Sequence, residues 1–358
     1  MRGSDKVLSE LSKQAQNKEY RFNRIYRILC NPEMYIKAYA NIYSNKGSST
    51  CGTDDVTADG FSEDRINSII LKLKGESYLA GAVRRTYIPK KNKKPRPLGI
   101  PNFDDRLVQE VCRMILEAIY EPTFSKSSHG FRPKRSCHTA LVEVRDIFKG
   151  VNWFIEGDIK GFFDNIDHQT LISIMRRRIT DERFITLIWK FLRAGYMEDW
   201  KYHNTFSGTP QGGIVSPILA NIYLNELDNY VQGNLVNEVT STNTGKPKPR
   251  VNPVYRSLTN KMNRLSKKID VCNDNSPREK MIAEYKVLNK QRNKENYSLG
   301  LGDYRNLFYV RYADDCAPRR RKEEKKKSSM QPCYIRDEGR PLGAAIQVEA
   351  SNRPLLHR

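Results

Sequence analysis

The chain has 358 residues, with 62 Lys+Arg against 41 Asp+Glu and a formal net charge of +21. That length allows two or three domain-sized units and a sizeable core, and 10% aromatic content favours a folded chain over a disordered one. No apolar run of about 18 residues is present and Met1–Lys6 lacks a signal-peptide core, so a transmembrane helix is excluded and secretion is not expected. Seven scattered cysteines without a C-x-x-C pair read as reduced intracellular thiols, and the charge points to polyanions, nucleic acid ahead of an anionic membrane surface.

Residues 1–60 are rich in Tyr, Asn, Arg and Lys, and Tyr20–Arg27 interleaves aromatics with cations in the manner of an RNA-facing helix or of an ordinary peripheral one. Ile66, Ile69, Ile70 and Leu73 predict a helix, and Arg84–Ile88 a strand. The loop 89–101 is cationic and punctuated by prolines. Over 103–120, Leu107, Val111, Met114, Ile115, Ala118 and Ile119 form a helical stripe that ends before Pro122. Residues 151–163 begin as a strand, which places Asp158 near its end. Ser216–Tyr230 reads as a helix. Residues 233–305 hold fifteen Lys/Arg against seven Asp/Glu and read as a basic helical hairpin, with Ser276 capping its second helix and Pro277 at the first helical position. Strand pattern returns over Leu307–Asp315. Pro318 and the charged run after it argue against a continuing strand, and no usable periodicity follows to Arg358.

Four segments carry chemistry. Asp314-Asp315 ends an apolar strand; such a pair suits Mg²⁺, although most such pairs taken alone are surface turns, and a tight turn is needed to bring both carboxylates to one site. Asp158, ending a second strand, could complete a two-metal site for phosphoryl transfer. Lys90 and Arg96 sit on the Pro-punctuated loop, where they could hold a triphosphate or simply be solvated. Gly208-Thr209-Pro210-Gln211-Gly212-Gly213 permits close backbone approach to a ligand, and Gln211 offers an amide.

As a set, Tyr312-Ala313-Asp314-Asp315, Arg96–Pro101, His129-Gly130-Phe131-Arg132-Pro133 and Gly208–Pro217 resemble, in order and spacing over about residues 60–315, the group II intron-encoded reverse transcriptases, the intron maturases. The resemblance implies an α+β right-hand polymerase with fingers and an antiparallel palm sheet packed on helices. It divides the chain into an RNA-contacting N-terminal extension (1–60), fingers (61–150), the first part of the palm (151–232), a basic insertion (233–305), the palm strand of the Y-A-D-D motif (306–315) and an atypical, disordered tail (316–358).

The resemblance also implies RNA-directed DNA synthesis. Asp158, Asp314 and Asp315, with the carbonyl of Ile159, would hold two Mg²⁺. Lys90 and Arg96 would clamp the incoming triphosphate. Phe163, rather than Phe162, would be the aromatic gate against a ribose 2′-hydroxyl, and Gln211 would meet the nucleotide. Arg132 would support the fingers or template strand, or serve a structural role. Arg21, Arg24, Lys246, Lys248 and Arg250 would contact RNA. Implied partners are group II intron RNA, a DNA primer or target and dNTPs, with no membrane and with self-association through the fingers left open; the implied compartment is a bacterial cytoplasm or an organelle. A non-catalytic intron-RNA-binding cofactor is the alternative. The family continues after Y-A-D-D with more palm, a thumb and a maturase domain, whereas residues after Asp315 match nothing in it; the expectation is a truncated, frameshift-like end, a Y-A-D-D hairpin without its second strand, and little processive synthesis.

Overall fold

The computed structural model describes residues 3–45, 47–90, 93–148, 156–159, 161–209, 212–241, 251–272, 274–297, 307–320, 336–337, 340–341 and 346–349. Within these, the side chains of Lys90, Lys93, Lys94, Arg96, Glu156, Asp158, Asn275 and all residues from Cys316 onward lie outside the description.

Three helices open the chain: α1 (Ser4–Ala15), α2 (Pro32–Tyr43) and α3 (Glu63–Lys74). Local chemistry sets their ends. The Asn31 side chain accepts the Glu33 N–H before Pro32, and Ser62 accepts the Arg65 N–H. Glu63 and Asp64 occupy the positive end of α3, while Lys72 and Lys74 occupy its negative end. The predicted stripe Ile66, Ile69, Ile70 and Leu73 is the buried face of α3.

Tyr20–Ile25 is not a helix. The Phe22 N–H donates to Arg178 O at 2.7 Å and Phe22 O accepts from Thr180 at 2.9 Å, a strand-like bridge that buries Phe22 and leaves Arg21 and Arg24 exposed. Phe22 and Ile25 anchor the segment to the core, while Asn23 and the left-handed Arg24 between them stay exposed.

Strands β1 (Val83–Lys90) and β2 (Lys93–Ile100) form a hairpin, followed by α4 (Phe103–Tyr120). Helix α4 buries 15 of its 18 residues, so it is the central core helix rather than a one-sided surface one. It packs against α1 and α2. In its first turn, buried Asp105 accepts from the Tyr78 hydroxyl and from Gly81 N–H at 2.9 Å, tying the chain before β1 to the core. Burial raises its pKa to about 6, above the ordinary carboxylate value, so the folded state holds the proton more tightly than the unfolded chain. The contribution tied to the Asp105 proton is therefore fully present below about pH 4 and is lost as pH rises through 6. Asp105→Asn is expected to flatten that slope in denaturant melts across this window.

The chain continues through α5 (Cys137–Ile147), β3 (Glu156–Ile159), α6 (Phe162–Asn165), α7 (His168–Arg176), α8 (Glu182–Leu192), β4 (Tyr196–Glu198), β5 (Lys201–His203), α9 (Ser216–Tyr230) and α10 (Val236–Ser241). Helices α11 (Pro253–Val271) and α12 (Asn275–Arg292) form the predicted basic hairpin. Its second helix begins earlier than predicted: Asp274 stands at the N-cap and Pro277 at the third helical position, where a missing N–H costs no intrahelical bond. Then come β6 (Leu307–Tyr312), β7 (Asp315–Arg320), β8 (Arg336–Asp337), β9 (Arg340–Pro341) and β10 (Ile346–Glu349).

Two four-stranded sheets result, β2-β1-β4-β5 and β10-β3-β7-β6. The Y-A-D-D hairpin thus has its second strand: Asp315–Arg320 pairs antiparallel with β6 and, through Gly157↔Cys316 and Asp158↔Asp315, with β3. Pro318 is tolerated for a geometric reason. The pair Tyr312↔Asp315 flanks a two-residue turn and is hydrogen-bonded, so by alternation Tyr309↔Pro318 is a non-bonded pair whose missing N–H faces away from β6. Among the described residues, β3 pairs with β7 at Asp158 and Gly157, opposite Asp315 and Cys316.

Candidate active site

The two predicted acidic segments meet across neighbouring strands. Asp158 is the Cα partner of Asp315, and Asp314 stands in the turn that joins β6 to β7. This is the tight turn that an adjacent pair of strand carboxylates requires. Its first central residue, Ala313, has φ +55°, a left-handed conformation usually given to glycine. Asp314 is half-buried and Asp315 exposed.

A buried polar network holds the turn from behind. Arg311, 1% exposed, donates from Nε and Nη2 to the two carboxylate oxygens of Asp228 on α9, at 2.8 and 2.7 Å. Its Nη1 donates to Ala313 O at 2.7 Å and Nη2 also to Ser128 Oγ at 2.7 Å. The Tyr309 hydroxyl donates to the same Asp228 at 2.7 Å. Asp228 is fully buried, so a two-pronged charge pair surrounded by further donors is the arrangement that offsets its desolvation.

The His129–Pro133 motif is part of this support. His129 N–H donates to Arg311 O at 2.9 Å and Arg311 N–H to Ser127 O at 2.8 Å, so the segment runs as an extra parallel bridge beside β6. A Cβ on Gly130 would lie 2.2 Å from Ala313 N, which leaves no room for a side chain. Asn221, seven residues before Asp228 on α9, donates to Gly130 O at 2.9 Å. Arg132 is buried and spends its guanidinium on Glu121 and on the carbonyls of Ser125 and Ser128, bonds that support the structural role. The His129 ring bonds Thr139 and Glu143 at 2.8 and 2.7 Å; burial lowers its pKa and the Glu143 contact opposes that.

Beyond β3 the chain turns at Gly161, φ +61°, into the short helix carrying Phe162 and Phe163. Phe162 is buried. Phe163 is half-buried and meets Phe131 edge-on at 6.2 Å. Phe163 lines a cleft of about 330 Å³ whose other walls include Arg85, Gly99, Tyr196 and Thr209, between the β2-β1-β4-β5 sheet and α6. The glycine-rich segment is held by α6, α7 and α4. Thr209 N–H donates to Phe163 O at 2.7 Å, the His168 ring meets Gly208 O at 2.5 Å, and Ile214 N–H donates to the buried Gln109 side chain at 2.9 Å. Gly208 has φ +81°, and a Cβ there would lie 2.6 Å from Phe163 O. Gly208→Ala is expected to cost roughly 1–3 kcal/mol from the left-handed backbone alone, seen as a Tm several degrees lower and a displaced Phe163.

Of the other predicted residues, Lys90 and Arg96 lie on β1 and β2, with Arg96 opposite Ile88, but their side chains fall outside the described residues. Gln211, Lys246, Lys248 and Arg250 fall outside them entirely. Ile159 ends β3 with its side chain buried. Among the described side chains no three acidic, His or Cys groups gather to hold a metal; the Asp158 carboxylate is not among those side chains. Sequence reasoning missed Arg311, Asp228, Asn221 and Ser128. The available signal was a lone arginine inside the apolar run Leu307–Tyr312 and two polar residues a heptad apart in the apolar helix α9.

A palm hairpin with adjacent carboxylates, a second acidic strand beside it and a fingers sheet over an aromatic-lined cleft define a right-hand polymerase. Residues 88–242 match the family "Reverse transcriptase (RNA-dependent DNA polymerase)". The chain is 50% identical over 313 residues to the "Group II intron-encoded protein LtrA" of Lactococcus lactis subsp. cremoris, covering 86% of this chain and 51% of that protein. It is 42% identical over 308 residues to the "Uncharacterized 91 kDa protein in cob intron" of Schizosaccharomyces pombe, covering 86% of this chain and 37% of that one. A chain of the solved "Partial Cas6-RT-Cas1--Cas2 complex" aligns with a TM-score of 0.38 and 16% identity, over 69% of this chain and 42% of its own, a likeness too slight to build on. The chain therefore carries a reverse transcriptase domain like that of the group II intron-encoded proteins it matches. It spans about half the length of LtrA. No helix among the described residues is long and apolar enough to cross a membrane.

Proposed function

We propose that this chain is the fingers-and-palm portion of an RNA-directed DNA polymerase that extends a primer 3′-hydroxyl on a group II intron RNA template. The observation that carries this reading is the register Asp158↔Asp315 beside the Ala313–Asp314 turn, which gathers three acidic residues on two paired strands. Enzymes of this family use divalent metal ions, and hard carboxylate ligands on paired strands fit Mg²⁺. Asp158, Asp314, Asp315 and the Ile159 carbonyl would hold two such ions. When bound, the ions supply activation of the 3′-hydroxyl and neutralisation of charge on the leaving pyrophosphate.

The chain's own residues do the rest. Arg311 holds the turn carrying Asp314 in one conformation, so the acidic groups need little rearrangement before reaction. Lys90 and Arg96 bind the triphosphate, with the arginine fork matching phosphate oxygens. Phe163 walls the sugar side of the cleft, where its ring excludes a 2′-hydroxyl, and Gln211 meets the nucleotide. The proposed setting is a bacterial cytoplasm or an organelle.

A second reading, a non-catalytic intron-RNA-binding cofactor, draws on the α11–α12 hairpin. Met262 is the only buried residue of α11 and no described side chain of α12 is buried, so apart from half-buried Arg292, which lies over the Tyr255 ring, their cations face solvent. Such a surface binds phosphates with strong salt dependence. Single-nucleotide incorporation on poly-rA/oligo-dT tests between them. The first reading expects Mg²⁺-dependent addition of dTTP that stops with EDTA; no addition by a chain that still binds intron RNA tightly selects the second.

A further inference from the structure

The β4–β5 hairpin carries an aromatic residue that the fold itself does not use. Trp200 is 96% exposed. It and Asp199 form the two-residue turn between Glu198 and Lys201, with φ +62° and +48°. Turns with two left-handed central residues favour Asn-Gly or Asp-Gly, so a tryptophan at the second position strains the backbone. No burial within the chain offsets that strain.

The surroundings share this character. Lys201, Tyr202 and His203 are all exposed along the edge strand β5, and Phe206 is 86% exposed. On the same sheet the Arg85 guanidinium lies 3.7 Å over the Tyr196 ring, which stacks on His203 at 4.9 Å and 13°. These three flat groups therefore stack on one another across three strands and stiffen the sheet beneath the exposed rings of Trp200, Tyr202 and Phe206. Arg85, Tyr196 and Phe206 also line the cleft beside Phe163, so the surface is continuous with the candidate active site. Charge indicates what covers it. The strands carry three cations in β1, three in β2 and Lys201 in β5, against Glu198, which is already bonded to Tyr87 and ion-paired with Arg85 at 3.7 Å, and Asp199 in the turn. The exposed rings of Trp200, Tyr202 and Phe206 among cations fit stacked bases and phosphates better than a packed protein partner.

We propose that the β4–β5 hairpin and the sheet it extends form a stacking platform for the unpaired bases of a single-stranded nucleic acid entering the cleft, with Trp200 as its outermost contact. Only the direction of the strand, toward the cleft, rests on the polymerase reading. The binding itself is measurable without nucleotide or metal, so the two can fail separately.

The test uses the full chain in EDTA, with fluorescence anisotropy of labelled rU and dT 12-mers and a blunt RNA duplex as comparator. Trp200→Gly is expected to raise Kd for a single strand about tenfold, the loss of one stacked base, with duplex binding unchanged. The same substitution should leave Tm unchanged or raise it, because glycine suits the turn. Its salt slope should stay constant, whereas Lys201→Ala should lower the slope by about one. Loss confined to rU marks an RNA strand, and loss confined to dT a displaced DNA strand. Single-strand affinities within twofold of the unsubstituted chain, or equal losses on single strand and duplex, overturn the proposal.

Discussion

Asp158→Ala is expected to abolish deoxynucleotide incorporation while leaving intron-RNA affinity unchanged. Asp158 and Asp315 are cross-strand partners, and Asp314 sits one residue away in the turn. Under the proposed two-ion reading, removing one of the three takes a fixed negative group from where the cations would be held, a loss of the kind that costs roughly 10²–10³-fold in rate. Residues 1–60 and the α11–α12 hairpin, the proposed RNA-binding surfaces, lie on other elements, so RNA binding there should persist. Single-turnover incorporation and filter binding, measured on the same preparation, separate the two effects. Affinity that falls together with incorporation would show that Asp158 supports the fold rather than the chemistry.

Asp228→Ala is the second large effect. Arg311 would be left charged, fully buried and without its carboxylate, a change that typically costs about 3–5 kcal/mol. The Tyr309 hydroxyl loses its acceptor as well. Denaturant melts should show the loss directly. The paired replacement Arg311→Met with Asp228→Leu removes both charges together and should recover most of the stability, because an apolar pair avoids the desolvation penalty. Incorporation should stay low in the paired variant. Ala313 O would have lost its donor, and the left-handed turn beneath Asp314 would relax. Recovery of stability and full activity together would deny Arg311 its positioning role.

Much of the fold is legible in the residues because its signals are local. The stripe Leu107–Ile119 marks α4, Ser62 and Asn31 mark helix starts, and Ser216-Pro217 opens α9 at the predicted residue. Where competing local signals conflicted, the tertiary context decided. Tyr20–Arg27 carries aromatics and cations that read as a helix, yet the bridge between Phe22 and Ile179 holds its first residues extended and only Tyr26–Cys30 turns helical, as 3-10 helix. Pro318 argues against a strand in isolation, yet the alternation set by the Tyr312↔Asp315 turn places it where no hydrogen bond is required.

By itself the sequence determined the class of the protein and its acidic and glycine-rich motifs, because these depend on residue type and spacing along the chain. Only the tertiary structure decided what each motif does for the others. His129–Pro133 proves to be the backing of the Y-A-D-D turn, with Gly130 against Ala313. Arg311 and Asp228 stand 83 residues apart, and their charges meet only when α9 is packed behind β6. A buried ion pair is specified by the geometry of two surfaces, and neither half carries a local signature of its partner.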